Sequence, residues 1–187
     1  MDMSNVSLVG WAHSLACTLA LVLGAWNIAM TKGSPRHRRV GMAYVFAMLA
    51  ANLSAFGVYR FDIAHFRPFT AGAGVFGLFH WEAVATLVFL GLAVFAAPRQ
   101  NRAVWAYTHP IAILVTYYML LGGLINELFV RVTALRAFAA AHGGLGFGRS
   151  PLIGAIQTAA LAWLLLSILY FVVKIAVYRR RGALAVA

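Results

Sequence analysis

Residues 6–30 read VSLVGWAHSLACTLALVLGAWNIAM, a run with no lysine, arginine, aspartate or glutamate. Wound as a helix at 1.5 Å per residue, it reaches about 37 Å, more than the ~30 Å hydrocarbon core of a bilayer. The run predicts a membrane-crossing helix, and four more follow it: Val40 to Val58, Val75 to Ala97, Ile111 to Val130 and Leu152 to Val177. Unpaired strands would leave N–H and C=O groups without partners in lipid, so the spans are read as helices.

Composition points the same way. The 187 residues are 63% hydrophobic and 10% charged, with a mean hydropathy of +0.85, more apolar surface than a soluble domain of this size can hide. The expected fold is all-α: one integral membrane bundle over 1–187, with five transmembrane helices at about 6–30, 35–58, 74–97, 109–138 and 151–178. The first run is read as retained and not as a secretory signal. It is too long, lacks a basic segment before it, and offers no clear small-residue cleavage site before Lys32.

Loop charges give an orientation. Lys32, Arg36, Arg38, Arg39, Arg99, Arg102, Lys174, Arg179, Arg180 and Arg181 fall on one side, and Arg60, Arg67, Arg131, Arg136 and Arg149 on the other. The positive-inside bias then places the N-terminus outside and the C-terminus in the cytoplasm. The net charge of +11 is spread over loop ends, where it meets lipid head groups and not nucleic acid. The single cysteine, Cys17, lies inside the first span and says nothing about redox compartment.

Helix limits are legible in places. Ser34-Pro35 and Ser150-Pro151 read as N-caps followed by proline at the first helical position, and Thr108-His109-Pro110 as the same device with one residue inserted. Pro98 stops the third helix, and glycines between Gly143 and Gly148 separate the fourth from the fifth. Leu128, Val132, Leu135 and Phe138 keep helical spacing, which predicts that the fourth helix runs on beyond the bilayer.

Four of the spans carry a histidine near their N-terminal ends: His13, His37, His80 and His109. Alternating helix direction puts His13 and His80 near one membrane face and His37 and His109 near the other. Each ligand candidate shares a stripe with small or polar residues, as interior seams do. These are Cys17, Ala20, Gly24, Asn27 and Thr31 with His13, and Gly41, Tyr44, Met48 and Asn52 with His37. On the fourth helix they are Ile113, Thr116, Leu120, Gly123 and Glu127 with His109. On the third, Val84, Leu87 and Gly91 are expected to continue the His80 face, with Glu82 pointing elsewhere. The fifth helix has no histidine and is placed at the edge of the bundle.

Haem b iron takes two axial imidazoles from opposite sides, which explains why paired histidines at matched depth matter. The spacing His37-Arg38-Arg39-Val40-Gly41 offers a glycine beside a ligand, giving room for a macrocycle, and Arg36, Arg38, Arg39 and Arg102 could meet propionates. This pattern, over Val6 to Val130, resembles the two-haem transmembrane cytochrome b families. The resemblance implies haem b, one or two groups, with His13 and His80 on an outer iron and His37 and His109 on an inner one. It also implies electron transfer between a donor and an acceptor such as quinone, or a membrane or periplasmic redox partner. The sequence departs from it in that His37 and His109 fall in or beside the first helical turn, while His13 and His80 sit about 10 Å inside theirs. The whole chain, Lys32 to Gly41 above all, also resembles small bacterial membrane proteins of unknown function, which implies a multi-pass protein of the bacterial inner membrane and no activity.

The outer half adds carboxylates. Glu82 and the pair Asn126-Glu127 are expected at the depth of His13 and His80, with Asp62 and His65 in the adjacent loop. They suit three roles: orienting ligands, binding a metal with the histidines, or relaying protons. A local pair of Glu127 with Arg131 serves equally well. No nucleophile–base triad, phosphate loop or zinc-protease helix is visible, which speaks against an ordinary hydrolase. Two other classes stay open: a non-redox subunit of a larger membrane complex, its histidines structural, and a small metal- or proton-handling transporter.

Overall fold

A computed structural model of the chain describes residues 7–58, 78–99, 101–142 and 151–180. Among these there is no strand, and five helices are long and apolar enough to cross a membrane. The protein is an all-helical, multi-pass membrane protein. Its helices are α1 (Leu8–Ala29), α2 (Pro35–Val58), α3 (Leu78–Ala96), α4 (Ala103–Arg131), α5 (Thr133–Ala141) and α6 (Pro151–Arg180). A 3₁₀ turn, Ala97–Arg99, ends α3 at Pro98. The contacts divide the chain within α3, into units Ser4–Gly91 and Leu92–Val186.

In the first unit α1 and α2 form an antiparallel hairpin. Ser7 caps α1 by accepting from the Gly10 N–H at 3.1 Å, and Ser34 caps α2 by accepting from the His37 N–H at 3.1 Å, with Pro35 at the first position as expected. Gly33, at φ +79°, makes the turn in a backbone region that favours glycine. The seam is made of small residues. Ala16, Ala20, Gly24 and Asn27 are the buried positions of α1, and Tyr44, Met48, Ala51 and Ala55 those of α2.

Two glycines mark how close the backbones come. A Cβ at Gly57 would stand 3.2 Å from Val9 Cγ1, and one at Gly41 would stand 3.2 Å from Asn27 Nδ2. The close approach therefore spans most of both helices, from Val9 to Asn27, about 27 Å. Between helices in lipid there is little hydrophobic drive, and this dispersion contact between small residues holds the hairpin together.

In α3 the buried residues are His80, Ala83, Thr86, Leu90, Ala93 and Ala96. The His80 face is thus continued by steps of three and four through Ala83, Thr86 and Leu90, not through Val84, Leu87 and Gly91. Gly91 is exposed.

The second unit corrects two expectations. Thr108-His109-Pro110 does not start a helix: α4 begins at Ala103, and Pro110 lies inside it. Proline removes only one N–H, which leaves the Ala106 carbonyl without its ladder partner, and membrane helices absorb that loss. His109 is consequently the seventh residue of α4, not a first-turn residue. Nor does the fourth helix run unbroken to 138. Val132 is extended at φ −82° and ψ 113°, and α5 starts after it. Val130, Val132 and Thr133 are β-branched, and crowding at χ1 weakens the helix there. On α6 the edge reading agrees with burial, Leu164 being its one buried side chain among those described. Its Trp163 ring lies 6.2 Å from Tyr117 of α4.

Candidate functional site

His13 is the best-held of the four histidines. Its Nδ1 lies 3.0 Å from the carbonyl oxygen of Ala51 and 3.0 Å from Ser54 Oγ, both on α2. A carbonyl only accepts, so Nδ1 carries the proton and donates. The Ser54 hydroxyl is turned to donate to the Ala50 carbonyl at 2.6 Å, leaving its lone pairs toward the imidazole. Nε2 is then the basic nitrogen of the ring. Cys17, one helical turn on, brings Sγ to 3.6 Å from that nitrogen, in reach of a weak S–H donation.

The acceptor of His13 needs no help from it. Ala51 lies four residues or more from the last turn of α2, so its carbonyl already receives the N–H of Ala55 in the helix ladder. The imidazole bond is an addition, made where α1 and α2 are in contact, and it fixes the ring and its tautomer.

His109 makes a similar bond at a helix end. Its Nδ1 lies 2.9 Å from the carbonyl oxygen of Ala93. Ala93 is in the last turn of α3 and fully buried, and its carbonyl takes the final ladder bond of that helix, from the Ala97 N–H. Pro98 removes one later donor, and Arg99 Nη1 donates to the Phe95 carbonyl at 2.6 Å. His109 and Arg99 together close the end of α3.

His80 is 3% exposed, its ring tilted at 44° and 5.6 Å from that of Phe56. At about 100° per residue, Ala51 and Ser54 lie on one side of α2 and Phe56 on the other. His13 and His80 therefore belong to the same unit and meet α2 on different sides. His37 is half-buried at the third position of α2. The glycine beside it does not open space: Gly41 is filled against by Asn27, so its small size serves the α1–α2 contact and not a macrocycle.

Glu82 is half-buried near the start of α3, and its carbonyl accepts from Thr86 Oγ1 at 2.7 Å. The side chains of Asn126, Glu127 and Arg131, and residues Asp62 and His65, lie outside the described residues. His142 closes α5, donating from Nδ1 to the Phe138 carbonyl at 2.8 Å, with the two rings 4.2 Å apart. Among the described residues no group of three or more histidine, cysteine or carboxylate side chains stands ready for a metal ion. Arg36 and Arg38, expected at propionates, are engaged locally: Arg36 lies over the Trp26 ring at 5.2 Å, and Arg38 Nη2 donates to the Gly33 carbonyl at 3.3 Å.

Two residues around His13 escaped the sequence reading. Cys17 stood on the right stripe but was given no chemistry, although the spacing His13 to Cys17 at i, i+4 puts both side chains on one face. Ser54 carried no signal, because its role depends on the register of α2 against α1.

No family model matches this chain, and no curated protein and no solved structure is significantly similar to it.

Proposed function

We propose that the chain is a haem-b-type electron-transfer protein of the bacterial inner membrane, N-terminus outside, passing electrons between a donor and a quinone or a partner subunit. The observation that carries the reading is the His13 bond to Ala51. A metal-ligating histidine characteristically donates its other ring N–H to a backbone carbonyl or carboxylate, which fixes the tautomer and aims the lone pair. His13 has that arrangement on a carbonyl that has no structural need of it.

The fit is uneven across the four histidines. His13 suits an axial imidazole, provided the Cys17 thiol rotates off Nε2. His80, buried and aromatic-packed, is its expected partner, but it meets α2 on the opposite side from His13, so α3 must shift for the two to reach one iron. On the inner side the case is thinner, since Gly41 offers no clearance and the His109 bond caps α3. Bound haem b would supply a one-electron iron couple. The part of the chain is to hold two imidazoles at set depth, and the half-buried Glu82 would order polar groups beside them.

Expression with haem supply followed by oxidised and dithionite-reduced spectra tests the proposal. The expected result is a low-spin Soret band that shifts on reduction, lost in His13→Leu and converted to a high-spin form in His80→Leu. Protein that folds and shows no Soret band refutes it.

A second reading has its own observation. The α6 face bearing Leu165, Leu166, Leu169 and Val173 is 52–66% exposed. That surface meets lipid, or another subunit if the chain is a non-catalytic member of a larger complex. Histidine-to-leucine variants with unchanged cofactor content and turnover would favour this reading.

A further inference from the structure

The cations at the turn between α1 and α2 are not equivalent. Lys32 has work within the chain: its Nζ donates to the carbonyls of Asn27 and Ile28 at 2.7 and 2.6 Å. A positive charge there complements the negative end of the α1 dipole. Arg36, Arg38 and Arg39 stand the other way. They crowd the first turn of α2, where the dipole is itself positive, and that turn contains no acidic residue.

Among the described residues no carboxylate stands near them. The sequence has no carboxylate between Asp2 and Asp62. Glu82 is the one carboxylate whose side chain is described, and its neighbour His80 lies against Phe56, about 30 Å along α2 from Arg36. Arg36 and Arg39 are exposed and, three apart, are neighbours on the helix surface.

Below Arg36 the surface of α1 changes character. Its guanidinium rests over Trp26, and Trp26 heads a stripe with Val22, Leu19 and Leu15 at helical spacing, 45–62% exposed. A pair of guanidinium groups with no described carboxylate beside it, above an indole and an apolar stripe, matches a phosphate joined to an acyl chain. A soluble anion would match only the upper half, and an acidic protein would leave the stripe unexplained.

We propose that Arg36 and Arg39, with Trp26 beneath them, bind the headgroup phosphate of an anionic phospholipid whose acyl chain lies along Leu15, Leu19 and Val22, Arg38 adding charge from the turn. Bidentate donation from arginine suits the phosphate, and the stripe suits the chain. The site is independent of any haem.

Native mass spectrometry of the full chain, released from mixed micelles holding phosphatidylglycerol and phosphatidylcholine, tests it. The intact protein should retain phosphatidylglycerol preferentially. Arg36→Gln with Arg39→Gln should cut that preference about 25-fold, at roughly fivefold per arginine. Arg179→Gln with Arg180→Gln removes the same charge elsewhere and should leave it. Equal losses in the two double variants would overturn the site, since net charge would then suffice. So would equal retention of both lipids by the intact protein, or full displacement of the lipid by millimolar inorganic phosphate. If the glutamine pair fails to keep its helix content, Arg36→Lys with Arg39→Lys carries the test. It keeps the charge but loses the fork, and should show an intermediate preference, while an unchanged one would overturn bidentate binding.

Discussion

His13 and His109 make the same bond, Nδ1–H to an alanine carbonyl on the neighbouring helix, at 3.0 and 2.9 Å. The two regions give it different meanings. Along α1 and α2, small residues bring backbones together over most of their length, and the imidazole bond is added to a carbonyl the ladder already serves. At the end of α3 the ladder stops just past the acceptor, where Pro98 removes the next donor, and the imidazole secures that last turn. A histidine tie between membrane helices is therefore evidence of a poised ligand where it is added within a packed seam, and not where it secures a helix end.

The largest effect should come from breaking the packed side of the comparison. Ala20 is 0% exposed in the α1–α2 seam, and Ala20→Leu should destabilise the protein by about 3 kcal/mol, the upper range for overpacking a close contact. Thermal unfolding in detergent micelles measures it. A loss below about 0.5 kcal/mol, the scale of surface substitutions, would mean that the hairpin adjusts and that its small residues are not what brings the helices together.

Next comes the contrast itself. His109→Leu removes the tie that secures the last turn of α3 and should cost about 1.5 kcal/mol, near the upper end for interhelical hydrogen bonds in membranes. His13→Leu removes only an added interhelical bond and should cost about 0.6 kcal/mol, the mean for such bonds in membranes. For haem content the proposed order is reversed, with His13→Leu the more damaging. Measured side by side, unfolding and Soret intensity separate a ligand from a cap. If both variants lose stability alike and neither changes the spectrum, the distinction between the two regions fails.

What the sequence made legible follows from the range of each signal. Long apolar runs and the Ser34-Pro35 start are local, and the helices are found where those signals lie. The stripe Ala20, Gly24, Asn27 was readable too, because small residues at steps of four and three report a close contact whatever the partner. Pro110 misled, since the same dipeptide pattern that opens a soluble helix is tolerated inside a membrane one, and Val104 to Tyr107 continue the helix ahead of it. Gly41 misled differently: a glycine signals that something comes close, and the sequence alone cannot name what, here Asn27. Ser54 and the Ala51 carbonyl were invisible, because a tie between α1 and α2 depends on their register, which is set by packing along both helices. The side of α2 that His80 faces was hidden for the same reason.

The smallest prediction tests how the His13 ring is held. Ser54 Oγ shares the Nδ1 proton with the Ala51 carbonyl, and Ser54→Ala leaves the carbonyl in place. The cost to stability should be about 0.5 kcal/mol or less, a weak hydrogen bond in a part-buried position. The informative readout is instead the ring itself: a ¹⁵N spectrum of the imidazole should keep the Nδ1–H tautomer in Ser54→Ala, because a carbonyl can accept and cannot donate. Conversion to the Nε2–H tautomer would show that serine and not the backbone sets the proton. Nε2 would then lose the lone pair on which the proposed role of His13 depends, and the contrast with His109 would reduce to two structural ties of unequal strength.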